Sequence, residues 1–138
     1  MTYVSERQDI ETYFKDVWQD LFPDMTIGFD GEQFTPPQGE VSVELEIVPG
    51  EGEQRTFGDP GGNVARYNGV LLVRIRAPGG QGTHTIRTYA DHVIRLMMNK
   101  TIGDNIVTRV PYVQTRVADQ PFIGWSVAIP FDRDIFTA

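Results

Sequence analysis

The feature that most limits how this chain can fold is a long alternation of apolar and polar residues at positions 64–77. Successive side chains of a β-strand point to opposite faces, so a period of two predicts a half-buried strand. This is the longest strand expected, and we predict a bulge in it near Gly69. The residues predicted to share its buried face are Ala65, Tyr67, Gly69, Leu71, Val73 and Ile75.

Three other segments also have the character of strands. Apolar residues alternate with polar ones at 41–47 and at 122–131, and a further strand at 106–117 is interrupted at Pro111. The turn at 118–121 is so short that the two strands it joins must run antiparallel.

Two segments follow the helical period instead. Ser5 and Gln8 form a capping-box pattern before the first helix, and Pro23 ends it. Thr83 is the expected cap of the second helix, which is predicted to end at Gly103. The apolar stripe of the first helix contains Ile10, Phe14, Val17, Trp18, Leu21 and Phe22, and that of the second contains Ile86, Tyr89, Ala90, Val93, Ile94, Met97 and Met98. Because each helix has a polar opposite side, both are expected to lie on the surface of a sheet.

The order of helix, strands, helix and hairpin predicts a single α+β domain over residues 1–138. We expect a mainly antiparallel sheet with both helices packed on one face. A chain of 138 residues with 40% hydrophobic content can bury one core of ordinary size. The predicted core comprises Phe14, Trp18, Leu45, Leu71, Val73, Ile75, Val93, Ile94, Trp125 and Val127.

Composition argues against several classes of function. Without cysteine, the chain has no disulfides, no thiolate chemistry and no cysteine-based zinc site. No stretch has the length of a membrane span or the pattern of a signal peptide, so we expect a protein made in the cytoplasm with no membrane partner. The net charge of −7 argues against specific nucleic-acid binding, because that affinity comes from clustered Lys and Arg.

The charge is unevenly distributed along the chain. Residues 1–69 carry 14 acidic and 4 basic side chains, whereas residues 70–138 carry 5 acidic and 8 basic. The two halves either meet in a head-to-tail contact between subunits or pair inside one subunit. The residues of the predicted subunit or partner interface are Glu40, Glu44, Glu46, Glu51, Glu53, Arg55, Phe57, Arg74, Arg76, Arg109 and Arg116.

A segment rich in glycine and proline, residues 49–62, joins two of the predicted strands. Seven of its 14 residues are Gly or Pro, and alternation through residues 53–57 permits a short strand within it. We expect an extended hairpin arm that reaches beyond the core to contact another subunit. A surface loop without such a contact is the alternative.

The sequence contains no recognisable catalytic or metal-binding motif. His84 and His92 are eight residues apart on a predicted helix, too far to share one metal ion. The glycine-rich turn at 79–83 joins a strand to a helix, but it lacks the Lys-Ser/Thr pair of a Walker loop. Asp132 and Asp134 are interpreted as a charged strand end. We expect no enzymatic activity and no cofactor, with a nucleotide-binding enzyme using the 79–83 turn as an alternative.

Four runs of residues resemble the tail terminator (tail completion) proteins of long-tailed phages. They are Arg66-Tyr67-Asn68-Gly69-Val70-Leu71-Leu72-Val73, Ala77-Pro78-Gly79-Gly80-Gln81-Gly82, Tyr89-Ala90-Asp91 and Gly124-Trp125-Ser126-Val127-Ala128-Ile129-Pro130-Phe131. The order of elements extends the resemblance over nearly the whole chain. It implies an α+β virion protein that forms a hexameric ring at the head-proximal end of the tail, with no cofactor and no turnover.

The same resemblance implies the partners of such a ring. It would halt growth of the tube formed by the major tail protein and offer a surface to the neck or head-completion protein. The arm at 49–62 would then contact a neighbouring subunit or the tail tube. A neck or head-completion adaptor that binds at the portal is the alternative interpretation.

Overall fold

A computed structural model describes residues 3–35, 39–54, 64–79, 83–103, 105–119 and 122–136, which contain two helices and seven strands. The helices are α1 (Tyr3–Leu21) and α2 (His84–Met97). The strands are β1 (Thr26–Gly28), β2 (Ser42–Gln54), β3 (Val64–Pro78), β4 (Thr101–Ile102), β5 (Ile106–Thr108), β6 (Tyr112–Asp119) and β7 (Phe122–Phe136). The chain therefore has the α+β fold that the order of its elements predicts.

The sheet has the order β1-β2-β3-β7-β5-β4, and β6 pairs with β7 beside β5. All of its pairs are antiparallel except β1 with β2. In the register, Val73 of β3 lies between Leu45 of β2 and Val127 of β7. The alternating apolar residues of the three long strands consequently fall on the same face of the sheet.

Both helices cover that face. Their buried side chains belong to the same hydrophobic cluster as the buried residues of β2, β3 and β7. The Tyr13 hydroxyl of α1 donates a hydrogen bond to the Leu96 carbonyl oxygen of α2 at 3.2 Å, which ties the two helices together. Nine of the ten predicted core residues are buried, and Ile94 is partly buried. Full burial of each large apolar side chain contributes about 1.5–3 kcal/mol.

The boundaries of the helices differ from the predicted ones. Helix α1 begins at Tyr3, so Ser5 lies inside the helix instead of capping it. Leu21, assigned to the buried stripe, is 43% exposed because it occupies the last position of the helix. Thr83 is the N-cap of α2, but its hydroxyl makes no bond to a backbone amide. It accepts a hydrogen bond from Arg87 Nε at 3.0 Å instead.

The end of α2 is set by a tertiary contact that the sequence pattern does not contain. The helix ends at Met97, and Asn99 then takes a left-handed φ of 51°. The Thr108 hydroxyl of β5 donates a hydrogen bond to the Met97 carbonyl oxygen at 2.5 Å and accepts one from the Lys100 amide at 2.7 Å. The predicted end at Gly103 was too late because this hydroxyl satisfies the helix terminus six residues earlier.

The bulge lies on β2 and not, as predicted, on β3. The register shifts between Pro49 and Gly52, opposite Gly69. Gly69 has another role, because a Cβ at this position would lie 2.5 Å from Cζ of Phe131. The ring of Phe131 therefore packs directly against the backbone of β3.

The predicted arm is partly integrated into the sheet. Beyond the bulge, β2 stays paired with β3 up to Gln54 opposite Ala65. Arg55, Phe57 and the rest of the segment to residue 63 lie outside the described residues. The expected contact of the arm with another subunit remains a prediction. The sequence pattern also missed β1 and β4, which are too short to show a period of two.

The close contact at Gly69 generates a prediction for stability. Replacing Gly69 by alanine should lower the free energy of unfolding by about 1–3 kcal/mol, because the added methyl overpacks the Phe131 ring. Urea denaturation followed by circular dichroism measures this. The control is Asn68→Ala on the exposed neighbour, which should change stability by less than about 0.5 kcal/mol. Equal stability of the two variants would show that the ring can move away at no cost.

Candidate functional site

The side of the sheet opposite the two helices carries most of the residues predicted to form an interface. We call it the open face. It is formed by the even-numbered residues of β2 from Ser42 to Val48, of β3 from Arg66 to Arg76 and of β7 from Gly124 to Asp134, whose odd-numbered neighbours point to the core. Register also places Val107 of β5 and Tyr112 of β6 on this face, opposite Asp132 and Ala128.

A network of charges occupies one end of the open face. Arg74 contacts Glu44 at 3.3 Å and Glu46 at 2.5 Å, and Arg76 lies 3.7 Å from Glu44. Of the two arrangements that the sequence left open, pairing inside one subunit is the one found for these four residues. Each of these partly exposed pairs contributes up to about 1 kcal/mol. Reversing the charge of Arg74 and Arg76 would place like charges side by side within the chain.

A second group of ion pairs lies at the other end of the open face. Arg66 donates two hydrogen bonds to Asp134, at 2.7 and 3.0 Å, and this raises the pKa of the arginine. Arg109 donates to Asp132. Arg109 was among the predicted interface residues and Arg66 was not, because Arg66 and Asp134 are 68 residues apart in the chain. They meet only through the register of β3 with β7.

An apolar band separates the two charged groups. In one cross-strand row Val70 lies between Val48 and Pro130, and in the next Leu72 lies between Glu46 and Ala128. Tyr112 continues the second row and is 49% exposed. A groove of about 370 Å³ runs beside the band and is lined by Val48, Val70 and Pro130 among others.

The remaining predicted interface residues are scattered. Glu40 is exposed in the segment before β2, and Glu51 is exposed in the strand beyond Pro49. Arg116 belongs to β6 with its backbone opposite Trp125, and its side chain lies outside the described part of the structure, as do Arg55 and Phe57. The open face thus brings together Glu44, Glu46, Glu53, Arg74, Arg76 and Arg109, where Glu53 lies opposite Arg66 beyond the β2 bulge. The other candidates are not shown to join them.

A buried ion pair on the opposite face was not foreseen. Arg133 of β7 is 2% exposed, and its Nε lies 3.2 Å from Oε1 of Glu6 in the first turns of α1. Its guanidinium stands 4.7 Å from the Tyr3 ring centroid and 5.1 Å from that of Tyr67. The aromatic faces supply cation–π contacts where water is excluded. Glu6 precedes Ile10 and Phe14 at four-residue intervals and therefore lies on the buried stripe of α1. The sequence pattern did not indicate Arg133 as its partner.

Burial and attraction act in opposite directions on Glu6. Removal from water raises the pKa of this carboxyl, and the charge of Arg133 lowers it, with burial the larger effect. The pKa therefore lies above the ordinary value of 4.5. The pair holds the start of α1 against the end of β7.

Other candidate residues make contacts of an ordinary kind. His84 is exposed at the start of α2, and His92 Nδ1 accepts a hydrogen bond from Arg95 at 2.8 Å. Among the residues that the structure describes, no three His, Asp or Glu side chains are grouped closely enough to hold a metal ion. Neither described helix combines the length and apolarity needed to cross a bilayer.

Comparison with known proteins bears on the fold. No protein-family profile and no curated protein matches the chain. One solved structure, whose name states no function, aligns with a TM-score of 0.74 at 17% sequence identity. The alignment covers 100% of this chain and 99% of the other. At this identity the likeness shows a shared fold and nothing about activity or partners.

The buried pair makes a prediction for stability. Replacing Arg133 by methionine should lower the free energy of unfolding by about 3–5 kcal/mol, because the Glu6 charge is then buried without its partner. Adding Glu6→Leu should recover most of this loss, since the pair is replaced by apolar side chains. The control is Arg109→Met at a 60% exposed arginine, which should cost less than about 1 kcal/mol. A double variant less stable than Arg133→Met would contradict this account.

A second prediction concerns pH. Because the folded-state pKa of Glu6 is raised, its contribution to stability is fully present below pH 4.5 and is lost as pH rises through the folded value. The unfolding free energy of the wild type, relative to that of Glu6→Gln, should therefore fall as pH increases above 4.5. Urea titrations of both proteins across this range measure the difference. A rise instead would mean that the attraction of Arg133 outweighs desolvation.

Proposed function

We propose that this protein is a structural virion subunit that forms a ring, most simply of six copies, at the head-proximal end of a phage tail. In this role it ends polymerisation of the tail tube and joins the tail to the neck. The proposal comprises its partners, which are further copies of itself, the major tail protein and a neck or head-completion protein. It also comprises a role without turnover or cofactor.

One observation carries the proposal: three of the four sequence runs that resemble tail terminators lie next to one another in the fold. Residues 66–73 of β3 and 124–131 of β7 lie on paired strands, with Gly69 opposite Phe131 and Val73 opposite Val127. Ala90, within the run in α2, is buried in the same core. These three runs therefore belong to the central structural unit, whereas the run at 77–82 continues past β3 beyond the described residues.

The open face gives this proposal physical support. An exposed sheet face with an apolar centre and charged ends is typical of a surface that meets another protein. A neck adaptor bound at the portal would use the same physics with different neighbours, so it remains the second candidate. The two differ in which assembly they recognise.

The test is an assembly assay. Native mass spectrometry and electron microscopy of the purified chain should show closed rings, and adding the chain to polymerising major tail protein from the same phage should shorten the tubes. Tube length should fall as the ratio of this chain to tube protein rises, because each ring blocks a growing end. Binding to portal rings without any effect on tube length would favour the adaptor. No effect on tubes and no binding to portals would contradict both.

A further inference from the structure

We propose that the apolar band of the open face is the surface on which a second copy of this chain docks. The band consists of Val48, Val70, Leu72, Tyr112 and Pro130, and the fully buried Ala128 lies between Leu72 and Tyr112 in the register. The inference deepens the proposed function, on which it rests for the existence of an assembly, by naming the contact surface.

The band has the exposure expected of an interface centre. Val48 is 39% exposed and Tyr112 is 49% exposed, while Val70, Leu72 and Pro130 are half-buried. Their positions in two adjacent cross-strand rows place apolar residues on the open side of strands β2, β3, β7 and β6. Ion pairs border it on both sides, which reproduces the apolar centre and polar rim of protein interfaces.

The charge balance of this face favours a second copy over a charged partner. Its described rows carry four arginines, at positions 66, 74, 76 and 109, and five carboxylates, at 44, 46, 53, 132 and 134. Their sum is −1, whereas the chain carries −7, so six of the seven net negative charges lie elsewhere. Two copies that meet through other surfaces bring acidic side chains together, as on α1, where Asp16 and Asp20 are exposed. A contact that joins this nearly neutral face to a different surface of the next copy, as a ring requires, avoids that repulsion.

The arginines of the open face are already held in place. Arg74 is positioned by two glutamates and Arg66 by both oxygens of Asp134. Ordering these long side chains before contact lowers the entropic cost of association. Because their charge is matched by neighbouring carboxylates, an anionic partner such as nucleic acid would gain little from them. A second copy can instead cover the apolar band without having to displace these ion pairs.

The experiment compares glutamate substitutions on the two sides of the molecule. Val48→Glu and Tyr112→Glu place a charge in the band, and the control Leu21→Glu does the same at a 43% exposed position on α1. Analytical ultracentrifugation should show that each band variant raises the self-dissociation constant at least about tenfold. Leu21→Glu should leave it unchanged. Thermal melting of the dilute proteins checks that all variants fold.

A second experiment measures protection of the apolar band and does not require a substitution that disrupts self-association. The chain has no cysteine, so Tyr112→Cys and Leu21→Cys each introduce a single thiol for maleimide labelling. As protein concentration rises, the labelling rate should fall about tenfold for Tyr112→Cys and stay constant for Leu21→Cys. If a glutamate variant fails to fold, this comparison of labelling rates tests whether the apolar band is the docking surface.

The outcomes separate this inference from the proposed function. If rings form and neither band variant weakens them, the contact lies elsewhere and the docking inference is wrong, while the ring survives. If the wild type never self-associates, or if Tyr112→Cys is protected only when tail-tube protein is added, a second copy is not the occupant. In both of these cases the proposed role at the tail is still judged by the tube-length assay.

Discussion

The pairing of β3 with β7 is the constraint on which the rest of the structure depends. It runs without interruption from Val64 opposite Phe136 to Pro78 opposite Phe122. Strand β2 adds to one side of this pair, and β5 and β6 add to the other. The register therefore decides which residues share a row across the sheet, and a shift by one residue would exchange the core face for the open face.

Charged residues are partly hydrated on one face of the sheet and buried on the other. On the open face, arginines and carboxylates that share a row or lie in adjacent rows remain partly hydrated, so their pairs order side chains more than they stabilise the fold. On the helix face, the single charged residue of β7 near the core, Arg133, is buried against Glu6 and two tyrosine rings. There the absence of water makes each partner costly to remove.

This division uses one face of the sheet for the stability of the fold and leaves the other, on which we propose association, without a covering helix among the described residues. Helices α1 and α2 cover the apolar residues of the sheet only on the core side. The open face retains a smaller apolar band that no described helix covers, bordered by ordered charges. A likeness in fold to a solved protein of unstated function is compatible with many roles, so the case for assembly comes from the surface and from the sequence resemblance.

The sequence by itself determined the elements whose hydrophobic period is long. The alternation of residues 64–77 and the stripes of α1 and α2 predicted the class of fold, both helices and nearly all of the core, because a repeated apolar spacing has one low-energy way to be buried. The pairing of Glu44 with Arg74 was foreseen as one of two arrangements.

Contacts between distant segments were decided only by the tertiary structure. The bulge at Pro49, the early end of α2 at Met97, and the pairs Arg66–Asp134 and Glu6–Arg133 all depend on strand register or on how a helix docks. Short elements such as β1 show no period and form because a neighbouring strand offers its backbone groups. A local sequence pattern indicates which side chains are buried. It carries no information about which distant residue lies opposite on the neighbouring strand, and that residue determines whether a charged side chain is exposed, paired or buried.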